Sequence, residues 1–163
     1  MNLNSDFKEP LNLLNAEKAK YLVVGGYAVI EHTEPRYTKD YRHLDNTERE
    51  NAEKVYAALR RFGAPLQEIK VDDFTNPDVV YHMGRPPSRV DVLMGLKMLD
   101  FEECWKNRVE SKYGDVSVNF ISLQDLIINK TAAGRPQDLA DVENLKLAKN
   151  RLETQNQQNN PVK

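Results

Sequence analysis

Two glycines, Gly25 and Gly26, end the apolar run Tyr21-Leu22-Val23-Val24 and lead into Tyr27-Ala28-Val29-Ile30-Glu31-His32, which has helical character. A strand that passes through glycine into a helix lets backbone approach a phosphate closely, and the helix start adds N–H donors and a favourable dipole. Taken alone, a Gly-Gly pair more often makes a tight turn with no ligand. Asp40 follows about one strand later, where its carboxylate can face the same cleft. Asp91 sits among Val90, Val92 and Leu93, so its own face is either buried or a site. The remaining candidates carry plainer expectations. His43, near Asp45, hints at a metal pair but is expected to be solvated. His32 is expected to cap a helix end or be exposed, and His82 to lie on the surface, with the cleft rim as the alternative. Cys104, between Phe101 and Trp105, is expected to be packed core and not a nucleophile.

Alternating and helical patterns supply the elements that must position these residues. The spacing predicts a first helix over Asp6–Lys20 with Pro10 in its first turn, and a buried strand over Tyr21–Val24. A second strand is predicted over Arg36–Leu44, in which Tyr37, Lys39, Tyr41 and His43 alternate with Thr38, Asp40, Arg42 and Leu44. Ala52, Val55, Tyr56, Leu59 and Phe62 define one face of a helix over Glu50–Phe62, with Gly63 as its stop. Strands are predicted over Val79–Met83, Val90–Met94 and Val116–Phe120, and a short helix over Phe101–Arg108. Ser122 can cap a following helix, with Asp125 at the third position. After Gly134-Arg135-Pro136, a last helix is predicted over 137–152, with a frayed, disordered tail over 154–163. The expected organisation is one α/β (α+β) domain over 1–153: a mixed sheet core over about 21–121, flanked by helices, and a helical hairpin over 122–153.

Bulk properties narrow the function classes. A chain of 163 residues can bury a core without staples, and its single cysteine excludes an intrachain disulfide. A formal charge of −2 gives no electrostatic reason to expect nucleic-acid binding. No apolar run approaches the ~20 residues needed to span a bilayer, so no membrane partner is expected, and the N-terminus lacks a signal-peptide pattern. A cytoplasmic protein is the expectation.

Gly25-Gly26, then Arg36-Tyr37-Thr38-Lys39-Asp40, then Arg89-Val90-Asp91-Val92-Leu93 resembles the small nucleotidyltransferases of the polymerase-β superfamily. The run from Leu126 to Val142 is similar to that of its bacterial stand-alone members, which include minimal nucleotidyltransferases and antitoxin-type proteins. More distant members act on aminoglycosides and lincosamides. The likeness covers roughly residues 21–145. It implies a nucleotidyltransferase fold, an NTP substrate, magnesium, and transfer of a nucleoside monophosphate to a hydroxyl. In that chemistry two carboxylates one residue apart on a strand, with a third from a neighbouring strand, hold two magnesium ions ~3.5–4 Å apart. Asp40 matches the first carboxylate and Asp91 the third, as catalytic and metal-binding residues. Gly25 and Gly26 match the phosphate-facing turn. Thr38, Lys39, Lys130 and Arg135 match positions near the nucleotide, and for Lys130 and Arg135 a purely structural role is equally open.

Two residues beyond Asp40 the sequence has Arg42, not a carboxylate. A guanidinium cannot ligate a cation and stays protonated. At ~4 Å and an effective dielectric near 20 it repels or attracts a unit charge by roughly 4 kcal/mol. Arg42 is therefore expected to pair with Asp40 or Asp91 and to weaken or abolish magnesium binding. Asp45, five residues from Asp40, points to the opposite face of a regular strand. Three readings stay open: an impaired transferase, a non-catalytic antitoxin-like module for a toxin or other protein, and a nucleotide binder that uses Arg42 instead of metal.

Overall fold

Tyr21-Leu22-Val23-Val24 is buried at every position and forms β1, near the middle of the sheet. The protein is a computed structural model that describes residues 5–38 and 40–160. Its described residues form a six-stranded mixed sheet in the order β3-β4-β2-β1-β6-β5. The further strands are β2 (Asp40–Asp45), β3 (Val80–Met83), β4 (Arg89–Leu93), β5 (Val109–Tyr113) and β6 (Val116–Phe120). β1 runs antiparallel to β2 and parallel to β6, while β2 runs parallel to β4. Helices flank this sheet: α1 (Ser5–Ala16), α2 (Gly25–His32), α3 (Arg49–Phe62), α4 (Phe101–Lys106), α5 (Leu123–Ala133) and α6 (Pro136–Asn159). The expected mixed sheet with C-terminal helices is what the chain adopts. No described helix is long and apolar enough to cross a membrane.

The core lies where α1 and α3 cover one face of the sheet. Phe7, Leu11 and Leu14 of α1 meet Ala52, Val55, Ala58 and Leu59 of α3 and the buried Tyr41, Val90 and Val92. Each large apolar side chain so buried contributes about 1.5–3 kcal/mol. Phe7 stacks on Tyr41 at 5.2 Å and meets the edge of Tyr27 at 5.5 Å. Gly63 ends α3 at φ 89°, a left-handed conformation that glycine adopts without a steric penalty. Ser122 Oγ accepts the Asp125 N–H at 3.1 Å and caps α5.

Several elements differ from the sequence reading, each for a local reason. α1 stops at Ala16, because Lys18 turns to φ 58°, and Pro10 lies in its interior, past the first turn. β2 begins at Asp40; Arg36–Thr38 form an irregular approach to it. β5 was not expected, since Val109-Glu110-Ser111-Lys112-Tyr113 offers little apolar alternation; it forms by pairing with β6 at the sheet edge. α6 continues to Asn159, seven residues beyond the expected end, with its last turns exposed.

His43 is the clearest correction. Alternation along β2 turns Tyr41, His43 and Asp45 toward the helices, so His43 is wholly buried instead of solvated. Its Nε2 lies 3.3 Å from Asp45 Oδ1, and the Tyr41 and Tyr21 rings stand 5.4 and 6.0 Å away. Burial pushes the Asp45 carboxyl up from its usual range, and His43 opposes that rise. This pair lies on the face opposite Asp40 and Arg42.

Candidate functional site

Alternation turns the even residues of β2 to the other face. There the register sets Val24, Arg42, Asp91 and His82 in a single row across β1, β2, β4 and β3. Asp40 and Arg89 are partners one step earlier along the parallel β2–β4 pair. Thus Asp40, Arg42, Arg89, Asp91 and His82 share one face. Asp40 and Asp91 stand as the sequence places them, on neighbouring strands.

Asp91 has only 2% of its side chain exposed, and both its oxygens are engaged. Oδ1 accepts from His82 Nδ1 at 2.6 Å and from Arg89 Nε at 2.8 Å. Oδ2 accepts from Arg42 Nε at 3.0 Å and from Arg89 Nη2 at 3.1 Å. A carboxylate offers about four lone-pair sites, and here four donors fill them. Since an ionised carboxylate only accepts, His82 carries its proton on Nδ1 in this contact. Burial alone works to raise the Asp91 pKa; the hydrogen bonds from Arg89, His82 and Arg42 outweigh it and hold the group below the ordinary carboxylate range. In return, the bonds to Asp91 raise the Arg89 pKa further, with Asp40 adding to the effect.

This donor set does not fit a two-metal centre. Asp91 has no free lone pair, and Arg42 supplies positive charge where a ligand is needed. Asp40 differs, because its buried Oδ1 has no hydrogen-bond partner. Among the described residues, no three His, Cys, Asp or Glu side chains gather as a metal-binding group.

The glycine turn is filled by the protein's own side chains. β1 passes directly into α2 at Gly25, whose φ of +70° favours glycine. A Cβ there would meet Arg42 Cδ at 3.3 Å, so Arg42 lies over the turn as well as against Asp91. At Gly26 a Cβ would come within 2.4 Å of Thr38 Oγ1 and 3.5 Å of Arg36 Nη2. Gly26 therefore makes room for the segment that precedes β2. The structure brings Arg42 against Gly25 and Thr38 against Gly26. Lys39 lies outside the described residues.

Lys130 and Arg135 are built into a different network. Lys130 is buried between Asp138 (3.3 Å) and Asp141 (2.9 Å) of α6. Arg135 Nε reaches Asp138 at 2.7 Å, and Arg36 Nη2 reaches Asp141 at 3.1 Å. Burial works to raise the Asp138 pKa, while Arg135 and Lys130 overcome it and depress the group. Lys130 thus holds α5 to α6, Arg135 closes the start of α6 on Asp138, and Arg36 links this network to the glycine turn.

Three contributors had weaker signals in sequence. Arg89 precedes Asp91 by two on one strand, so shared facing was legible, yet nothing in its own type marked it as a partner. His82 sits at the rim with 56% of its side chain exposed while bonding Asp91. Arg36 belongs to a segment that reads as strand. His32 Nε2 meets the Ile121 carbonyl at 2.8 Å and ties α2 to the end of β6. Cys104 is fully buried, and burial, followed by the nearby charge of Asp125, pushes the thiol up to about 12, so it is inert packing.

Comparison with solved structures gives the same architecture. A lincosamide antibiotic adenylyltransferase, LnuA, crystallised with lincomycin, superposes with a TM-score of 0.58 at 16% identity over 90% of this chain and 98% of that one. An antigenic nucleotidyltransferase-like protein from Paracoccidioides brasiliensis superposes with a TM-score of 0.51 at 14% identity, over 88% and 77% of the two chains. At such identities the likeness is one of fold. No curated protein sequence matches the chain. A family model does match, over residues 2–155, and on that match the chain belongs to the nucleotidyltransferases of unknown function (DUF6036).

Proposed function

We propose that this protein is a cytoplasmic nucleotide-binding member of its family in which magnesium-dependent nucleotidyl transfer is weak or lost. The family implies an NTP substrate. The observation that carries the reading is the Arg42 Nε–Asp91 Oδ2 contact of 3.0 Å, made while Arg89 and His82 occupy the remaining lone pairs of the same carboxylate. Opening that carboxylate to a divalent ion requires breaking charge-assisted hydrogen bonds, each worth roughly 1.5–3 kcal/mol. The cation would then stand beside two guanidinium groups.

NTP binding in this reading rests on the strand-to-helix turn at Gly25–Gly26 with Thr38, Lys39 and Arg42, and not on a metal bridge. Lys130 and Arg135 are assigned to structure. The test is calorimetric titration with each NTP, with magnesium and with chelator, followed by a search for incorporated label. Affinity that chelator leaves unchanged, with no label transferred, supports the proposal. Tight binding only with magnesium, accompanied by transfer, rejects it.

A second reading, a non-catalytic module that binds a protein in the manner of an antitoxin and its toxin, draws support from a separate place. The Leu96–Leu99 turn holds Met98 82% exposed beside an apolar hollow on α5.

A further inference from the structure

Leu96 and Leu99 close a tight turn by a β-bridge and lift Met98 out of the fold at φ 66°. Left-handed backbone is strained for a residue with a long side chain, and such outliers concentrate at ligand clamps and switches. Here the strained residue is also a large, almost fully exposed hydrophobe. Beside it lies an open concavity of about 830 Å³, floored by Ile127, Ile128 and Ala132 and flanked by Lys97 and Lys146. Leu139 of α6, 47% exposed, lies seven residues before Lys146 and so on the same stripe of the helix. Neither Lys97 nor Lys146 makes an ion pair with any described residue.

We propose that this hollow is a docking site for an acidic amphipathic helix of a partner protein. Its open apolar lining of Met98, Ile127, Ile128 and Ala132 suits the apolar face of an amphipathic helix laid against it. Methionine adapts its shape to such anchors at little cost. The two unpaired lysines select the charge: glutamates or aspartates flanking the apolar stripe find partners there, and lysines are repelled. The same lysines disfavour a symmetric pairing of two copies through this face, which would set like charges together. The inference is independent of how Asp91 and Arg42 handle nucleotide.

The experiment uses the full chain and two fluorescent helical peptides. One carries leucines along a helical stripe flanked by glutamates; the other has lysine for each glutamate. Saturable anisotropy is expected with the acidic peptide, weakened by salt. Met98→Gly removes the anchor at a backbone conformation glycine accepts, so melting temperature should hold while affinity falls by about tenfold or more. Lys97→Glu with Lys146→Glu should reverse the preference between the peptides. Equal affinity for the two peptides, no binding of either, or binding untouched by these variants would overturn the proposal. Self-association that Met98→Gly abolishes, or sedimentation with vesicles of anionic phospholipid, would replace the helix by another occupant and overturn it as well.

Discussion

Arg42 and Asp91 face each other as register partners on the parallel strands β2 and β4, joined by a hydrogen bond of 3.0 Å from Nε to Oδ2. The register makes the contact a property of the sheet, because moving either residue away would require slipping a central strand pair. Arg89 grips the same carboxylate through two nitrogens, and His82 completes its coordination from β3.

The first prediction concerns repair. Arg42→Asp by itself should not restore metal binding, since Arg89 and His82 still hold Asp91. Arg42→Asp combined with Arg89→Ser should tighten manganese binding by about tenfold or more over the parent chain. Electron paramagnetic resonance of free manganese checks this. Full recovery with the single change would show that Arg89 and His82 exert no hold.

Asp91→Asn should cost about 1–3 kcal/mol in urea unfolding, discounted for the partial exposure of its partners. The pH dependence carries a sign. The Asp91 pKa is depressed in the fold, so its stabilisation is present above the ordinary carboxylate pKa of about 3.9 and is lost as pH falls through the lower folded value. The difference between parent and variant should therefore hold from neutrality to about pH 4 and shrink below it.

At the glycine turn, Gly26→Ala should destabilise by about 1–3 kcal/mol, because its methyl group would sit 2.4 Å from Thr38 Oγ1. Thr38→Ala should recover part of the loss, leaving the neighbouring Cβ contact of 3.0 Å. Thermal melts of the single and double variants measure the coupling. Additive effects would mean that Thr38 does not fill the space beside Gly26.

Lys130→Met should cost about 3 kcal/mol or more, because it leaves Asp138 and Asp141 buried with half their cationic support. Nucleotide affinity of the folded fraction should not change, as Lys130 bonds only within α5 and α6. A selective loss of nucleotide binding in a chain of normal stability would move Lys130 back to the nucleotide site.

Much of this was legible from residue order, and the exceptions share a cause. The strand at Tyr21–Val24, the stop at Gly63, the cap at Ser122 and the place of Arg42 two residues after Asp40 are local patterns, and local patterns can be read directly. Alternation along β2 also placed Asp45 opposite Asp40. It did not reveal that the odd residues face α1, so His43 was expected in water. The closure of Asp91 by His82 and Arg89 depends on the order β3-β4-β2, a non-local fact. β5 likewise exists by virtue of its partner β6, not its composition. Lys130 and Arg135 sit in a plausible nucleotide-binding run, yet α6 folds back and Asp138 and Asp141 claim them.

Manganese titration of the unaltered protein, followed by the loss of the free-ion resonance, tests the account most directly, since manganese accepts the oxygen ligands that magnesium does. With Asp91 closed by Arg42, Arg89 and His82, no saturable submillimolar binding is expected. Submillimolar binding that disappears in Asp91→Asn would contradict the account.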